Sequence, residues 1–420
     1  MGHLTVKNYE SLYSRLDQFV NGPFDSEELY QILGILFTDE EALLCASLPI
    51  LPSPIEKISK IWETSEQEAE SILDTLVTKG LIYEDDYHGS VLYSLAIPIF
   101  GFFEFSLMRT DGIFDHDLLS KLYTKYINEN EGFVRKYFGG EPNISRTYVQ
   151  EETIPQDLTS EILSYEKASH IIDAAETISV GVCFCRHKME HLGRACDNPQ
   201  DVCLSFGSIA KSLIEKGISR AVSKAEAHEI LRECIANGLA QIGDNIKNKP
   251  AVICNCCGCC CDLLLTYKKT GMSTVISPSS YIAEIEDGEC SHCGICIEKC
   301  PTDAISVVGT KTVVDENWCL GCGVCSNFCD TNACRMEARE EKVFVPQDTF
   351  QKVVLAVIYQ GKLGNVLFED RNSMIHRALG GALNFVGKLP PIEWLLLQSK
   401  VQDFIVGFTL RKYGIRDFKL

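Results

Sequence analysis

Between residues 39 and 96 the spacing of apolar positions changes from a helical to an alternating period. "DEEALLCASL" and "SPIEKISKI" set apolar residues three and four apart, which predicts helices over about 39–48 and 53–61. A third helix starts at a cap on Thr64 or Ser65 and ends at Gly80. "LIYED" and "VLYSLA" then alternate as two strands around a turn at His88–Gly89. The aromatic run "PIFGFFEFSLMR" is expected to pack on the helix that follows, "DHDLLSKLYTKYINENEGFVRKYFG".

Farther along, "RTYVQEETI" reads as a strand and "SYEKASHIIDAAETI" as a helix, with Pro142 and Pro155 marking linkers. "VGVCFC" and "AVIC" read as buried strands that end at cysteines. Between them, "SFGSIAKSLIEKG" and "SKAEAHEILRECIANGLAQIG" read as helices, the second opened by Ser223 with Glu226 three residues on. "AISVVGTKTVVDENWC" predicts two short strands with a turn at Gly309. The last 80 residues are apolar and helical, broken at Pro390–Pro391. Their apolar face is expected to pack or dimerise more readily than to lie on a membrane, since Lys400, Arg411 and Lys412 are the few bases beside it.

The 420 residues suffice for two to four domains. No apolar run is long enough to span a bilayer, and the N-terminal "MGHLTVKNYESLYSRLDQF" lacks a signal-type apolar core, so a cytoplasmic protein is expected. The net charge of −19 argues against a general nucleic-acid binder, whose affinity rests on neutralising phosphate, and suits a protein that meets partners through complementary charge.

Cysteine changes the picture most. Of 21 cysteines, 20 lie between Cys183 and Cys334, and only Cys45, in an apolar run, reads as a small core residue. In a cytosolic chain such a block reads as metal ligation rather than disulfides. "CSHCGICIEKCP" places Cys290, Cys293, Cys296 and Cys300 at C-x2-C-x2-C-x3-C, and "CLGCGVCSNFCD" repeats the spacing at Cys319, Cys322, Cys325 and Cys329. This is the bacterial two-cluster ferredoxin signature, in which the fourth cysteine of each run ligates the other cluster. One [4Fe–4S] is therefore assigned to Cys290, Cys293, Cys296 and Cys329, and a second to Cys319, Cys322, Cys325 and Cys300. Asp330 stands where proline usually follows the fourth cysteine, which questions local rigidity, not ligation. Cys334 is left over, and His292 reads as a solvated spacer.

Upstream, Cys183, Cys185, Cys196 and Cys203 are expected to meet Cys254, Cys256, Cys257, Cys259, Cys260 and Cys261 of "CNCCGCCC" at one end of a small sheet. Ten thiols suffice for two further cubanes with two to spare, or for one unusual cluster; a structural zinc site has little reason to gather so many. Cys234 reads as core, and His187 and His191, four apart on a helix, read as a solvated face in preference to ligands. Arg186 either bonds a cluster sulfide or bound anion, or lies at the surface.

Three resemblances follow. The pattern "GVCFCRHKMEHLGRACDNPQDVCLSFG … AVICNCCGCCC" followed by a dicluster ferredoxin resembles a group of iron–sulfur proteins of anaerobic bacteria and archaea, over most of the chain. It implies redox function and anaerobic metabolism without naming a substrate. The single "CCG" at 256–258 is similar to the CCG domain of heterodisulfide reductases, but lacks that family's second copy. Residues 39–96 resemble a winged helix-turn-helix. Its third helix carries Glu66, Glu68, Glu70 and Asp74 against a lone Lys79, a charge that repels DNA and favours docking or dimerisation.

The expectation is an α+β, multidomain protein: a winged-helix-like domain (1–110), a Cys-rich α/β domain with a helical lead-in (111–275), a two-[4Fe–4S] ferredoxin domain (276–340) and a helical C-terminal segment (341–420). Its expected role is electron transfer through several [4Fe–4S] clusters, one or two of them in 183–261, between a soluble donor and an oxidoreductase partner. A reductase with its site in the 183–261 cysteines and a redox-sensing regulator are the alternatives. No G-x-G-x-x-G follows a strand, so no dinucleotide site is expected.

Overall fold

Helix caps written in the sequence set the first boundaries. Thr38 and Glu41 form a reciprocal capping box that opens helix Asp39–Ser47, with Thr38 N donating to Glu41 Oε2 at 2.8 Å and Glu41 N to Thr38 Oγ1 at 3.2 Å. Ser65 Oγ accepts from Glu68 N at 3.2 Å and opens helix Glu66–Thr78. The helix expected from 53 begins later, at Ile55, because Ser53–Pro54 pairs as a short strand with Leu92–Tyr93. Strands Ile82–Tyr87 and Ser90–Leu95 form the hairpin, so the sheet order is 53–54, 90–95, 82–87. The turn at His88–Gly89 lies outside the described residues.

The structure, a computed structural model, describes residues 2–87, 90–154, 164–341, 343–368, 374–398, 400–402 and 405. The chain divides into two units. One comprises Met1–Ser106, Asp111–Pro142 and Gln347–Leu420, the other Leu107–Thr110 and Asn143–Pro346.

In the first unit an aromatic core joins the run at 98–108 to the following helices. Phe103 packs on Tyr123 and Tyr126, Ser106 Oγ shares a 2.8 Å hydrogen bond with Tyr123 Oη, and Tyr137 Oη donates to Ile99 O. The C-terminal helices return to the N-terminal residues: Lys362 Nζ donates to Asp17 O and Phe19 O, and Val357, Leu363 and Ile405 pack beside Val20. Pro390 opens helix Pro390–Leu396, where its missing N–H costs nothing. Arg411 and Lys412 lie outside the described residues.

The second unit holds a seven-stranded sheet in the order 276–277, 145–147, 240–244, 252–256, 201–206, 178–182, 219–221. Its pairs are antiparallel except the first, 276–277 with 145–147. Helices Ala168–Ala174 and Lys224–Ala236 cover it through Ile171, Ile172, Ala227 and Leu231, packed on Val180, Leu204 and Ile253. Three expectations are corrected here. Residues 240–244, read as the end of a helix, are a central strand, because Gly238 at φ +75° ends that helix. Asp201–Phe206, read as loop and helix start, is a strand between the two cysteine-bearing strands. "RTYVQEETI" is a strand only over Ser145–Thr147, and a short 3-10 turn follows at 151–153. Pro155 lies outside the described residues.

Residues 281–338 add two small sheets. Ile305–Val308 and Lys311–Val314 form the expected hairpin, turned at Gly309 with φ +65°. Tyr281–Ile285 pairs with Cys334–Ala338, closing the stretch on itself. No described helix is long and apolar enough to cross a membrane.

Candidate iron–sulfur centres

The stretch 290–334 is built as a near repeat. Gly294 and Gly323, at φ +79° and +86°, turn the chain into the short helices Ile295–Lys299 and Val324–Asn327, each carrying a cysteine. After each fourth cysteine comes the same turn. Asp303 and Asn332 take left-handed φ of +60° and +56°, and Ala304 N and Cys334 N donate to Cys300 Sγ and Cys329 Sγ, both at 3.3 Å. The left-handed residue is Asp or Asn, the types that after glycine adopt that conformation most readily. Asp330, in the place of Pro301, leaves this turn in place.

Cys300 converges with Cys319, Cys322 and Cys325 on one small cavity, partly open to solvent, walled also by Ala283, Leu320 and Met336. Gly321 is required there. Its φ is +68°, and a Cβ on it would come within 2.0 Å of Tyr281 O. Burial pushes the Cys322 thiol well up, with the charges of Cys325, Cys300 and Cys319 adding to it. Cys325 is pushed up first by its hydrogen bond with the buried Cys334, which therefore adjoins the set. Cys296, raised by burial to about 11, lies within reach of the charge of Cys325 and then of those of Cys290 and Cys293. Around Cys329, burial is outweighed by hydrogen bonds from Cys334 N and Thr331, which lower its thiol. Buried thiols with N–H donors aimed at sulfur, around a cavity, fit the ligand set of a [4Fe–4S] cluster. His292 is exposed, as a spacer should be.

The second block gathers at one sheet end for a topological reason. Strands Ile178–Val182 and Val252–Cys256 both run antiparallel to Asp201–Phe206, so both deliver their C-terminal ends to the side where Asp201–Phe206 begins. Cys183, Cys203 and Cys254–Cys261 meet there, with Cys185 on the first turn of helix Phe184–His191.

The ten thiols divide into two sets. Contacts run from Cys203 to Cys254, Cys256, Cys261, Cys185 and Cys183 in turn. The other set is Cys196, Cys257, Cys259 and Cys260, whose sulfurs all lie within 4.8 Å of one another. A hydrogen bond from Cys260 and the Arg186 guanidinium, against burial, hold Cys257 down to about 4. Cys185 and Cys256 hold Cys261 down to about 5, and Cys203 and Cys256 hold Cys254 well below the ordinary thiol value. The same hydrogen bonds, with burial, push the partner thiols Cys260, Cys185 and Cys256 up, so each pair shares a proton that ligation must displace. Cys45 and Cys234 are fully buried and lie outside both sets, as expected for core residues.

Arg186 is 1% exposed, which removes the surface reading. Its Nη1 donates to Asn255 O at 3.1 Å and to Cys257 Sγ at 3.7 Å, while Nε and Nη2 are buried without a partner among the described residues. Nor are His187 and His191 a solvated face. Both are half-buried, with rings 4.8 Å apart and Nε2 atoms 3.2 Å apart, and His187 Nδ1 is 2.6 Å from Leu107 O. Sequence reasoning missed Lys188 and Asp262, a fully buried ion pair whose Asp262 N donates to Cys185 Sγ at 3.4 Å. Asp262 follows Cys261 directly and Lys188 follows Cys185 by three. That adjacency was the available signal.

The two blocks adjoin. Ala240 pairs with Cys256 across the sheet and packs on Cys322 and Val324. A hydrogen-bonded path also joins them. Gln150 N donates to Cys322 O at 3.0 Å, Gln150 Nε2 to Gln241 Oε1 at 3.1 Å, and Gln241 Nε2 to Asn255 Oδ1 at 3.0 Å.

Residues 283–306 match the family of 4Fe-4S binding domains, a span that contains Cys290, Cys293, Cys296 and Cys300. With the cysteine-rich groups, that match marks the chain as an iron–sulfur protein that binds a [4Fe–4S] cluster. No curated protein matches the chain, and no solved structure does.

Proposed function

We propose that this chain is an electron-transfer protein in anaerobic metabolism, whose iron–sulfur clusters pass single electrons between a soluble donor and an oxidoreductase partner. Two [4Fe–4S] clusters would be held by Cys290, Cys293, Cys296 and Cys329, and by Cys319, Cys322, Cys325 and Cys300. A further iron–sulfur group would be held by the six-thiol set of the second block. The observation that carries this reading is the contact between the blocks, with Cys256 and Cys322 on either side of Ala240. Electron transfer decays steeply with distance, so packed ligand shells favour a relay over isolated structural sites. The protein's part is to bury the sulfurs and direct N–H donors at them, which sets each potential.

The element order over 39–95 supports a winged-helix-like module, used for docking or self-association. Glu66, Glu68, Glu70 and Asp74 are all exposed on its third helix.

Iron and acid-labile sulfide per chain, measured after strictly anaerobic purification, test the proposal together with EPR of the dithionite-reduced protein. More than about eight irons, with sulfide to match and interacting reduced-cluster signals, is the expected result. Iron without sulfide, or too little iron and sulfide for two cubanes, fewer than about eight of each, would overturn it.

A further inference from the structure

The four-thiol set has a different size from every other cysteine group in the molecule. Cys196 Sγ lies 3.6 Å from Cys257 Sγ and 3.7 Å from Cys260 Sγ, and Cys259 Sγ lies 3.7 Å from Cys260 Sγ. Four thiolates around one ion at about 2.3 Å form a tetrahedron whose edge is about 3.8 Å. Thiolates on a cubane each cap a different corner and stand farther apart. Among the described residues, this is the one cysteine set of three or more whose sulfurs all fall within 4.8 Å. The ferredoxin-type ligands and the six remaining thiols are more widely spread.

We infer that Cys196, Cys257, Cys259 and Cys260 bind a single metal ion in tetrahedral tetrathiolate coordination, zinc or ferrous iron, and not an iron–sulfur cluster. Soft thiolate donors in a closed four-coordinate set select such ions. The surroundings fit the charge. Four thiolates and one divalent cation leave two negative charges, and Arg186 Nη1 donates to Cys257 Sγ at 3.7 Å while Asn198 Nδ2 donates to Cys196 Sγ at 3.3 Å. Cys257 and Cys260 are buried, Cys196 half-buried and Cys259 exposed, so the ion has an entry path from solvent. The ion would staple the 257–260 loop to the segment after helix Phe184–His191, and so fix Cys254, Cys256 and Cys261 opposite Cys183 and Cys185. Its role is structural. It goes beyond the electron-transfer reading and does not depend on it.

The test uses the full chain purified anaerobically, with zinc, iron and acid-labile sulfide counted in the wild type and in Cys259→Ser and Cys196→Ser. The expected result is loss of about one metal ion per chain in each variant with sulfide unchanged. If the lost metal is iron without sulfide, the ion is ferrous and the inference stands. Zinc-edge or iron-edge X-ray absorption on the wild type is an independent measurement that does not depend on the folding of either variant, and a shell of four sulfurs at about 2.3 Å around a lone ion is expected. Loss of about four irons together with four sulfides in the variants would overturn the inference. So would variants with unchanged metal, or a wild type whose metal outside iron–sulfur clusters has no four-sulfur shell. Too little iron and sulfide for two cubanes would sink the electron-transfer reading and leave this one standing.

Discussion

Gly258 lies flush against Pro301: a Cβ on Gly258 would come within 2.6 Å of the Pro301 carbonyl oxygen and 3.0 Å of its Cα. These residues belong to two cysteine runs, Gly258 lying between Cys257 and Cys259 and Pro301 directly after Cys300. The backbone contact admits no side chain, so Gly258→Ala must push the runs apart. Overpacking of this kind costs about 1–3 kcal/mol. The expected outcome is that loss of stability in anaerobic denaturant unfolding, with weaker magnetic interaction between reduced centres by EPR. An unchanged protein would mean that the loop yields freely and that the contact is incidental.

Cys300 and Cys296 are four residues apart yet face different partners. Cys300 lines the cavity with Cys319, Cys322 and Cys325, while Cys296, although it also feels the charge of Cys325, is the one that the charges of Cys290 and Cys293 reach. Cys300→Ser should therefore disturb the cluster of the 319–325 run, and Cys296→Ser the other. Each variant is expected to lose up to about four irons, with EPR spectra that differ in which reduced signal survives. Identical spectra for the two variants would contradict the interlocked assignment.

The doubled spacing made the ferredoxin-type hairpin and its two cysteine helices legible, because ligand geometry constrains sequence over a few residues. Helix 39–47 was legible through its apolar spacing and helix 66–78 through its cap. The strand at 201–206 was not. Its alternation is masked by Cys203, which reads as polar chemistry but sits in the sheet. Residues 240–244 were absorbed into a helix because "GLAQIG" is apolar without clear period. The division of ten thiols into four and six was also invisible. It depends on Cys257 and Cys256, adjacent in sequence, pointing to opposite sets, which strand alternation at the end of Val252–Cys256 produces. Lys188 gives no sign of burial in the sequence, because its partner lies 74 positions away.

Arg186 is the guanidinium beside the thiolates of both sets. Removing its charge leaves buried thiolates uncompensated, a loss of about 3–5 kcal/mol where a buried partner is deleted. Arg186→Gln should show that destabilisation in anaerobic unfolding. It should also lower the reduction potential of the neighbouring cluster, because a missing positive charge disfavours the added electron. Arg186→Lys keeps the charge and is expected to restore the potential more than the stability, since the fork to Asn255 O and Cys257 Sγ is lost. Redox titration followed by EPR reads both.

Lys188 and Asp262 are paired with no solvent access, and Asp262 opens the helix that follows the cysteine run. Lys188→Met alone should cost about 3–5 kcal/mol, because it strands a buried carboxylate. Lys188→Met combined with Asp262→Leu should recover much of that loss, as apolar replacements of buried pairs commonly do. Denaturant midpoints for the two single variants and the double variant give the coupling directly. Additive losses would mean that the pair is not an interacting unit.

Lys79, the lone base of the acidic helix 66–78 and its cap, is spent on Glu41: its Nζ reaches both carboxylate oxygens at 2.7 Å. That leaves Glu66, Glu68, Glu70 and Asp74 to define the exposed face, with no cation offered to phosphate from this helix. Duplex DNA binding draws most of its affinity from such cations and weakens steeply with salt. A gel-shift or anisotropy titration at low salt should therefore show no binding at micromolar protein. Glu41→Gln, which frees Lys79, should not create any, because four acids still face the duplex. If wild-type protein bound DNA with a steep salt dependence, the docking reading of this module would fall, and the module would have to present a basic surface other than its third helix.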